Sequence, residues 1–139
     1  MPDNIYQSAI PWTDQRIKAA AVYCSDGRFG EQWDDFLYTV LKLPCYDRLG
    51  VPGGPGGLIR RDKTAAEFDA ANRQMGFLLD AHDIKRVVLI QHIGCAFYGV
   101  YLGIPEAERE QQQRDDLARA TEHLLKLAPH ITVDSYVAR

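Results

Sequence analysis

Four segments of the chain have the hydrophobic pattern of β-strands. Residues 16–24 and 86–92 become continuously apolar, as strands buried on both faces of a sheet do. Residues 45–51 predict a short strand that leads into a glycine-rich loop, and residues 131–137 alternate like an outer strand. The pattern therefore predicts about four strands, the clearest of them over 86–92.

Between these strands, apolar residues recur three and four positions apart, which is typical of helices with one buried face. The predicted helices cover residues 28–42, 64–82 and 105–127. Their apolar positions are Phe29, Trp33, Phe36, Leu37, Val40 and Leu41 in the first, Phe68, Ala71, Met75, Leu78 and Leu79 in the second, and Leu117, Leu124 and Leu125 in the third. Boundary signals agree with these ranges: Pro44 after the first helix, a capping box of Thr64 and Glu67 at the second, and Pro105 in the first turn of the third.

Strands that alternate with helices imply right-handed crossovers and a parallel sheet. The sequence thus predicts one α/β domain over residues 1–139, with three layers and a mainly parallel central sheet of about four strands covered by helices on both faces. In such sheets, ligands bind beyond the carboxyl ends of the strands. Two polar clusters stand there, Cys24-Ser-Asp-Gly-Arg28 after the first predicted strand and His92-Ile-Gly-Cys95 after the third. We expect them to form one site.

Composition excludes several kinds of partner. The 139 residues are 46% hydrophobic and 25% charged, and the net charge is -3 without a block of like charges. Nucleic-acid and anionic-membrane surfaces normally depend on clustered Lys and Arg. The N-terminal residues lack the pattern of a secretory signal, and no apolar stretch approaches the roughly 18 residues of a membrane span. We therefore expect a cytoplasmic protein that binds neither nucleic acid nor membrane.

The two clusters together suit a zinc ion. Zinc favours thiolate and imidazole ligands in tetrahedral geometry, and catalytic sites keep one position open for water. His92 and Cys95 are three residues apart across a turn, and Cys24 lies at the neighbouring strand end. Asp26 and Arg28 would complete the site, because Arg28 can keep Asp26 ionised and Asp26 can accept a hydrogen bond from the zinc-bound water. The alternative is that both cysteines pack as small hydrophobic residues, the reading that also serves for Cys45, while His92 bonds to backbone.

Two other interpretations of Cys24 fail on spacing. A cysteine-phosphatase loop needs an arginine after five intervening residues, but Arg28 comes after three and position 30 is glycine. A thioredoxin-like dithiol needs Cys-x-x-Cys, and no two of the three cysteines have that spacing.

The loop over residues 50–57 is rich in glycine and follows a predicted strand. It matches neither a dinucleotide-binding fingerprint nor a phosphate-binding loop. Gly53 and Gly54 either let the backbone approach the zinc and line a small substrate pocket, or belong to a flexible connector. Three aromatic residues could line an apolar cavity or simply pack: Phe97, Tyr98 and Tyr101.

Over residues 17–100 the sequence resembles the β-class carbonic anhydrases. That family has Cys-x-Asp-Ser-Arg after its first strand and His-x-x-Cys after its third, and this chain has the same residues except that Gly27 replaces the serine. A family stretch, Arg-Asn-Ala-Gly, corresponds here to the divergent Leu49-Gly-Val-Pro-Gly-Gly, and Ala96 stands where glycine usually follows the last cysteine. The chain is a short, divergent relative by this comparison.

The resemblance implies one zinc per subunit, a homodimer or higher homo-oligomer, and reversible hydration of carbon dioxide to bicarbonate by zinc-bound hydroxide. By position, Cys24, His92 and Cys95 would be ligands, with Asp26 able to replace water as the fourth. Hydrolysis of carbonyl sulfide or carbon disulfide is the enzymatic alternative, and a zinc-binding relative without turnover is the other. A proton acceptor is also needed; His82 and His123 are available.

Overall fold

The computed structural model describes residues 5–139. Four strands and three α-helices form its framework: β1 (Ala19–Cys24), α1 (Gly30–Asp35), β2 (Asp47–Val51), α2 (Ala65–Ala81), β3 (Arg86–His92), α3 (Glu106–Leu127) and β4 (Thr132–Ala138). Short 3₁₀ turns cover Gly27–Phe29, Gly54–Leu58 and Asp62–Thr64, and π-helical turns cover Phe36–Val40 and Phe97–Tyr101.

The four strands form one sheet in the order β2-β1-β3-β4, and every pair is parallel. This confirms the predicted sheet and places β4 at an edge, as its alternating pattern indicated. Because β1 and β3 are neighbours, their carboxyl ends, Cys24 and His92, lie at the same edge of the sheet.

Successive residues of β1 point to opposite faces and into two separate cores. Ala20 and Val22 pack with apolar residues of α2 and α3 on one face. Ala19, Ala21 and Tyr23 pack with residues of the α1 segment on the other. Helices thus cover both faces, and the fold has the three layers that were predicted.

The first predicted helix is correct in position but not in regularity. The Leu41 amide bonds to the Phe36 carbonyl, five residues back, so the helix widens into a π-helical turn. This turn shifts the helical phase: Trp33 and Leu37 remain buried, whereas Val40, predicted for the buried face, is 62% exposed.

Details at the other helix ends also differ from prediction. Thr64 precedes α2, but its side chain makes no capping bond, and Glu67 instead accepts a hydrogen bond from Tyr101. Pro105 stands just before α3 rather than within its first turn. Leu125 is partly exposed, because it lies about 100° around the helix from the buried Leu124.

No helix in the described part of the chain has the length and hydropathy needed to cross a membrane.

Candidate metal centre

The candidate ligands meet where β1 and β3 end. Cys24 is the last residue of β1 and His92 the last of β3. Beyond His92 the chain reverses at Gly94, whose φ of 78° is open to glycine without strain. This turn brings Cys95 back beside Cys24, with the two sulfur atoms 3.7 Å apart.

The three side chains have the geometry of a metal site. One ligand atom from each of Cys24, His92 and Cys95 lies within 4.8 Å of the other two, and all three residues are buried. Two thiolates on one tetrahedral zinc, each at about 2.3 Å, would be about 3.8 Å apart, close to the observed sulfur separation. Among the described residues, the predicted trio is the group that could hold a metal ion.

His92 is oriented as a ligand. Its Nδ1 lies 3.1 Å from the carbonyl oxygen of Ile93 and donates to it, which leaves the lone pair on Nε2. That Nε2 is buried and has no hydrogen-bond partner within residues 5–139. The Phe29 ring packs against the imidazole at a centroid distance of 4.4 Å. A buried acceptor left without a donor is costly, and a metal ion held together with the two cysteines would satisfy it.

The thiols and the imidazole share protons unequally. The hydrogen bond with the Cys95 thiol, together with the nearby His92 imidazole, lowers the pKa of Cys24 to about 4 despite burial. The Cys24 thiolate raises the pKa of Cys95 in turn. Burial opposes the charged form of His92, but the nearby Cys24 sulfur and the hydrogen bond to the Ile93 carbonyl raise its pKa overall. The cluster thus already stabilises a thiolate, the form of cysteine that binds metals.

Asp26 and Arg28 form the predicted pair beside these ligands. The Arg28 guanidinium donates to both carboxylate oxygens, with Nη2 2.6 Å from Oδ2 and Nε 3.0 Å from Oδ1. These hydrogen bonds lower the pKa of Asp26 to about 2. Asp26 is therefore ionised at neutral pH, and its side chain bonds to Arg28 at the mouth of the site.

The glycine-rich loop closes one side of the site. Gly53 lines a pocket of about 240 Å³ together with Cys24, Ser25, Asp26, Pro52, Cys95, Ala96 and Phe97. Gly54 instead lies against the end of β1, where an added Cβ would be 2.8 Å from the Cys24 nitrogen. Gly54 thus packs against the backbone of β1 and does not line this pocket, and the loop contains the 3₁₀ turn over Gly54–Leu58.

A family model described as "Putative carbonic anhydrase" matches residues 14–138. The chain belongs to this family. No curated protein and no solved structure gave a significant match. The family assignment agrees with the resemblance seen in the two metal-ligand motifs and extends it to nearly the whole chain.

The two histidines named as available proton acceptors, and Cys45, lie outside the ligand pocket. His82 bonds to Asp47, the first residue of β2, whose register partner is Ala20 near the start of β1. His82 therefore lies at the amino-terminal end of the strands, away from the candidate ligands. His123 bonds to Asn72 between α3 and α2. Neither lines the pocket that holds the ligands. Cys45 is only partly buried and donates to the Gln15 carbonyl, so it is not the buried hydrophobic residue that was expected.

The three aromatic candidates have different positions. Phe97 lines the ligand pocket and an adjoining apolar cavity of about 320 Å³. Tyr101 lines the apolar cavity but not the ligand pocket. Tyr98 is fully buried behind the site. Burial and the nearby Asp116 raise the pKa of Tyr98, so its hydroxyl stays protonated and donates to that carboxylate.

A group of buried polar residues that the sequence did not predict lies behind the candidate ligands. Asp116, Gln113 and Gln91 are almost completely buried. The Tyr98 hydroxyl links Gln91 to Asp116, and Gln113 donates to Gln91. One signal was visible in the sequence: Gln91 is a polar residue within an otherwise apolar strand, directly before His92. Its partners on α3 could not be identified from sequence spacing.

Proposed function

We propose that this chain binds one zinc ion through Cys24, His92 and Cys95 and catalyses the reversible hydration of carbon dioxide to bicarbonate. The observation that carries the proposal is the buried trio of ligand atoms within 4.8 Å, together with the unpartnered Nε2 of His92. The family match over residues 14–138 supports the same reaction class. Zinc held there would act as a Lewis acid that makes water a nucleophile near neutral pH.

The chain's own residues have separate tasks in this proposal. Asp26 accepts a hydrogen bond from the water and thereby orients it toward the substrate carbon. Arg28 holds Asp26 ionised and fixes its orientation, since the guanidinium donates to both carboxylate oxygens. Three protein ligands would leave room for water as the fourth ligand of a bound zinc ion, and Asp26, engaged by Arg28, would be its hydrogen-bond acceptor.

The first experiment pairs metal analysis with stopped-flow hydration of carbon dioxide. We expect one zinc per chain and rapid hydration. One zinc with hydrolysis of carbonyl sulfide or carbon disulfide, but no hydration, would replace the proposed substrate. One zinc without either reaction would contradict turnover and leave a binding module. Protein purified without chelators that holds no zinc and cannot take it up would contradict the site itself.

Matched cysteine variants locate the metal. Cys24→Ser should abolish stable zinc binding, because a hydroxyl is a far weaker zinc ligand than a thiolate. Cys45→Ser should leave zinc content and hydration unchanged, because Cys45 lies outside the trio. Equal zinc content in the two variants would refute the assignment of Cys24.

A further inference from the structure

The metal ligands are backed by a continuous chain of buried hydrogen bonds that crosses from α3 to the end of β3. The Asp116 carboxylate accepts from the Tyr98 hydroxyl at 2.7 Å, and that hydroxyl accepts from Gln91 Nε2 at 2.7 Å. Gln91 Oε1 accepts from Gln113 Nε2 at 3.3 Å, and the same Nε2 donates to the His92 carbonyl at 2.7 Å. Each of these four side chains is at most 2% exposed.

Donors and acceptors in this chain of hydrogen bonds can be ordered in only one direction. An ionised carboxylate can only accept, so the single hydroxyl hydrogen of Tyr98 must point to Asp116. Tyr98 must then accept from the amide group of Gln91, which turns the amide oxygen of Gln91 toward Gln113. Asp116 thus sets the orientation of both amides, as far as the donor that holds the His92 carbonyl.

Asp116 forms a buried ion pair with Arg61. Arg61 Nη2 lies 2.5 Å from Asp116 Oδ2, with the two side chains 18% and 0% exposed. Gln112 donates to the other carboxylate oxygen. Arg61 also donates to the Gly56 carbonyl, and an added Cβ at Gly56 would lie 2.4 Å from the Tyr98 hydroxyl oxygen. The same carboxylate therefore ties the glycine-rich loop to the back of the site.

The chain of hydrogen bonds ends at the backbone that orients the His92 side chain. Gln113 fixes the His92 carbonyl, and the next carbonyl, that of Ile93, accepts from Nδ1 of the imidazole. The Tyr98 amide in turn donates to the Cys95 carbonyl. The Gln113 side chain thus holds the His92 end of the turn, and the backbone amide of Tyr98 holds the Cys95 end.

We propose that Tyr98 and Gln113, directed by Asp116, are positioning residues that preorganise the turn carrying His92 and Cys95 for metal binding. The inference rests on the proposed zinc site and adds residues that contact no ligand atom. Partners beyond the ligands typically contribute about 10- to 100-fold to metal affinity. Loss of this chain of hydrogen bonds should therefore weaken zinc binding without removing any ligand.

The test compares Tyr98→Phe with Tyr46→Phe in the full-length chain. Tyr46 is a matched control, because it is also buried and its hydroxyl accepts from Arg48 and donates to the Asp34 carboxylate. It lies just before β2, at the amino-terminal end of the strands and away from the ligands. Zinc affinity, measured by competition with a chromophoric chelator, should fall about tenfold or more in Tyr98→Phe. It should stay at the wild-type value in Tyr46→Phe. Equal affinities in both variants would overturn the inference.

A second variant and a metal-free measurement separate positioning from folding. Gln113→Met keeps the size of the side chain but loses the donor to His92, and it should lower zinc affinity in the same range even if Tyr98→Phe fails to fold. In metal-free protein, amide hydrogen exchange over residues 92–98 should rise in these variants and not in Tyr46→Phe. Unchanged exchange would also overturn the inference. A wild-type chain that binds no zinc would instead overturn the proposed function, and the exchange data would still decide whether the chain of hydrogen bonds holds the turn.

Discussion

At the scale of single residues, Gly54 is the position beside the ligands with the least room for change. Its φ is +51°, and an added Cβ would lie 2.8 Å from the Cys24 nitrogen and 2.9 Å from the Tyr23 carbonyl carbon. Because both contacts are to backbone, the loop itself would have to move away from the end of β1. We expect Gly54→Ala to lower the free energy of unfolding by about 2 kcal/mol. Urea denaturation measures this change.

A glycine nearby supplies the control for Gly54. Gly27 has ordinary φ, and no atom lies within 4 Å of a Cβ added there. Gly27→Ala should therefore leave the urea midpoint nearly unchanged. A midpoint for Gly54→Ala equal to that of Gly27→Ala would show that the loop yields without strain.

Arg28 offers a residue-scale test of how Asp26 works. Arg28→Gln removes the two-pronged contact that holds the carboxylate, so Asp26 should lose its orientation and rise in pKa. We expect kcat/KM for carbon dioxide hydration to fall about 10- to 100-fold, with zinc content unchanged because no ligand is lost. Arg86→Gln, which breaks a similar pair with Asp134 at the start of β3, should leave the rate unchanged. A wild-type rate for Arg28→Gln would refute this role.

At the scale of elements, local pattern predicted what depends on local physics. The strand over 86–92 was predicted to the residue, because its burial on both faces leaves a continuous apolar run. The grouping of Cys24, His92 and Cys95 followed from the rule that ligands gather at strand ends, since both motifs follow neighbouring strands.

Features that depend on distant residues could not be predicted in this way. The π-helical turn over residues 36–40 changes the helical phase, and periodicity with a fixed repeat does not reveal it. The partners of Tyr98 lie on α3 and in β3, and nothing in their spacing marks them as neighbours. The Thr64 capping signature was wrong because Glu67 bonds to Tyr101, a residue more than thirty positions away.

The packing of α3 against α2 gives an element-scale prediction for pH. Burial, with the nearby positive charge of Lys126, lowers the pKa of His123 from its usual 6.5. The unfolded chain therefore binds this proton more readily, so the stability from neutral His123 is complete above about pH 6.5 and is lost as pH falls below it. We expect the stability difference between wild type and His123→Gln to shrink between about pH 7.5 and about pH 5 in urea titrations. A stability difference that stays constant across this pH range would contradict the prediction.

At the scale of the whole molecule, the segment before β1 is unusually apolar for its exposure. Among the described residues, no helix or strand precedes Ala19. Four large side chains in this segment are 80–90% exposed: Ile5, Tyr6, Ile10 and Trp12. Clustered exposed apolar side chains commonly mark an interaction surface. The resemblance to β-class carbonic anhydrases implies a homo-oligomer, so a second copy of this chain is the partner that we expect.

The last prediction is that the chain is a dimer or larger assembly whose stability depends on this segment. Replacing Ile10 and Trp12 together by serine removes apolar surface that makes few contacts within the chain, so the folded subunit should be preserved while association weakens. Sedimentation velocity across a range of concentrations should show an assembly for the wild type and a shift toward monomer for the double variant. Phe77→Ser, on α2 and 62% exposed, tests whether the loss of any exposed apolar side chain has the same effect, and it should leave the assembly intact. A wild-type chain that stays monomeric at every concentration would refute the prediction, and an unchanged assembly in the double variant would show that the subunits associate through another surface.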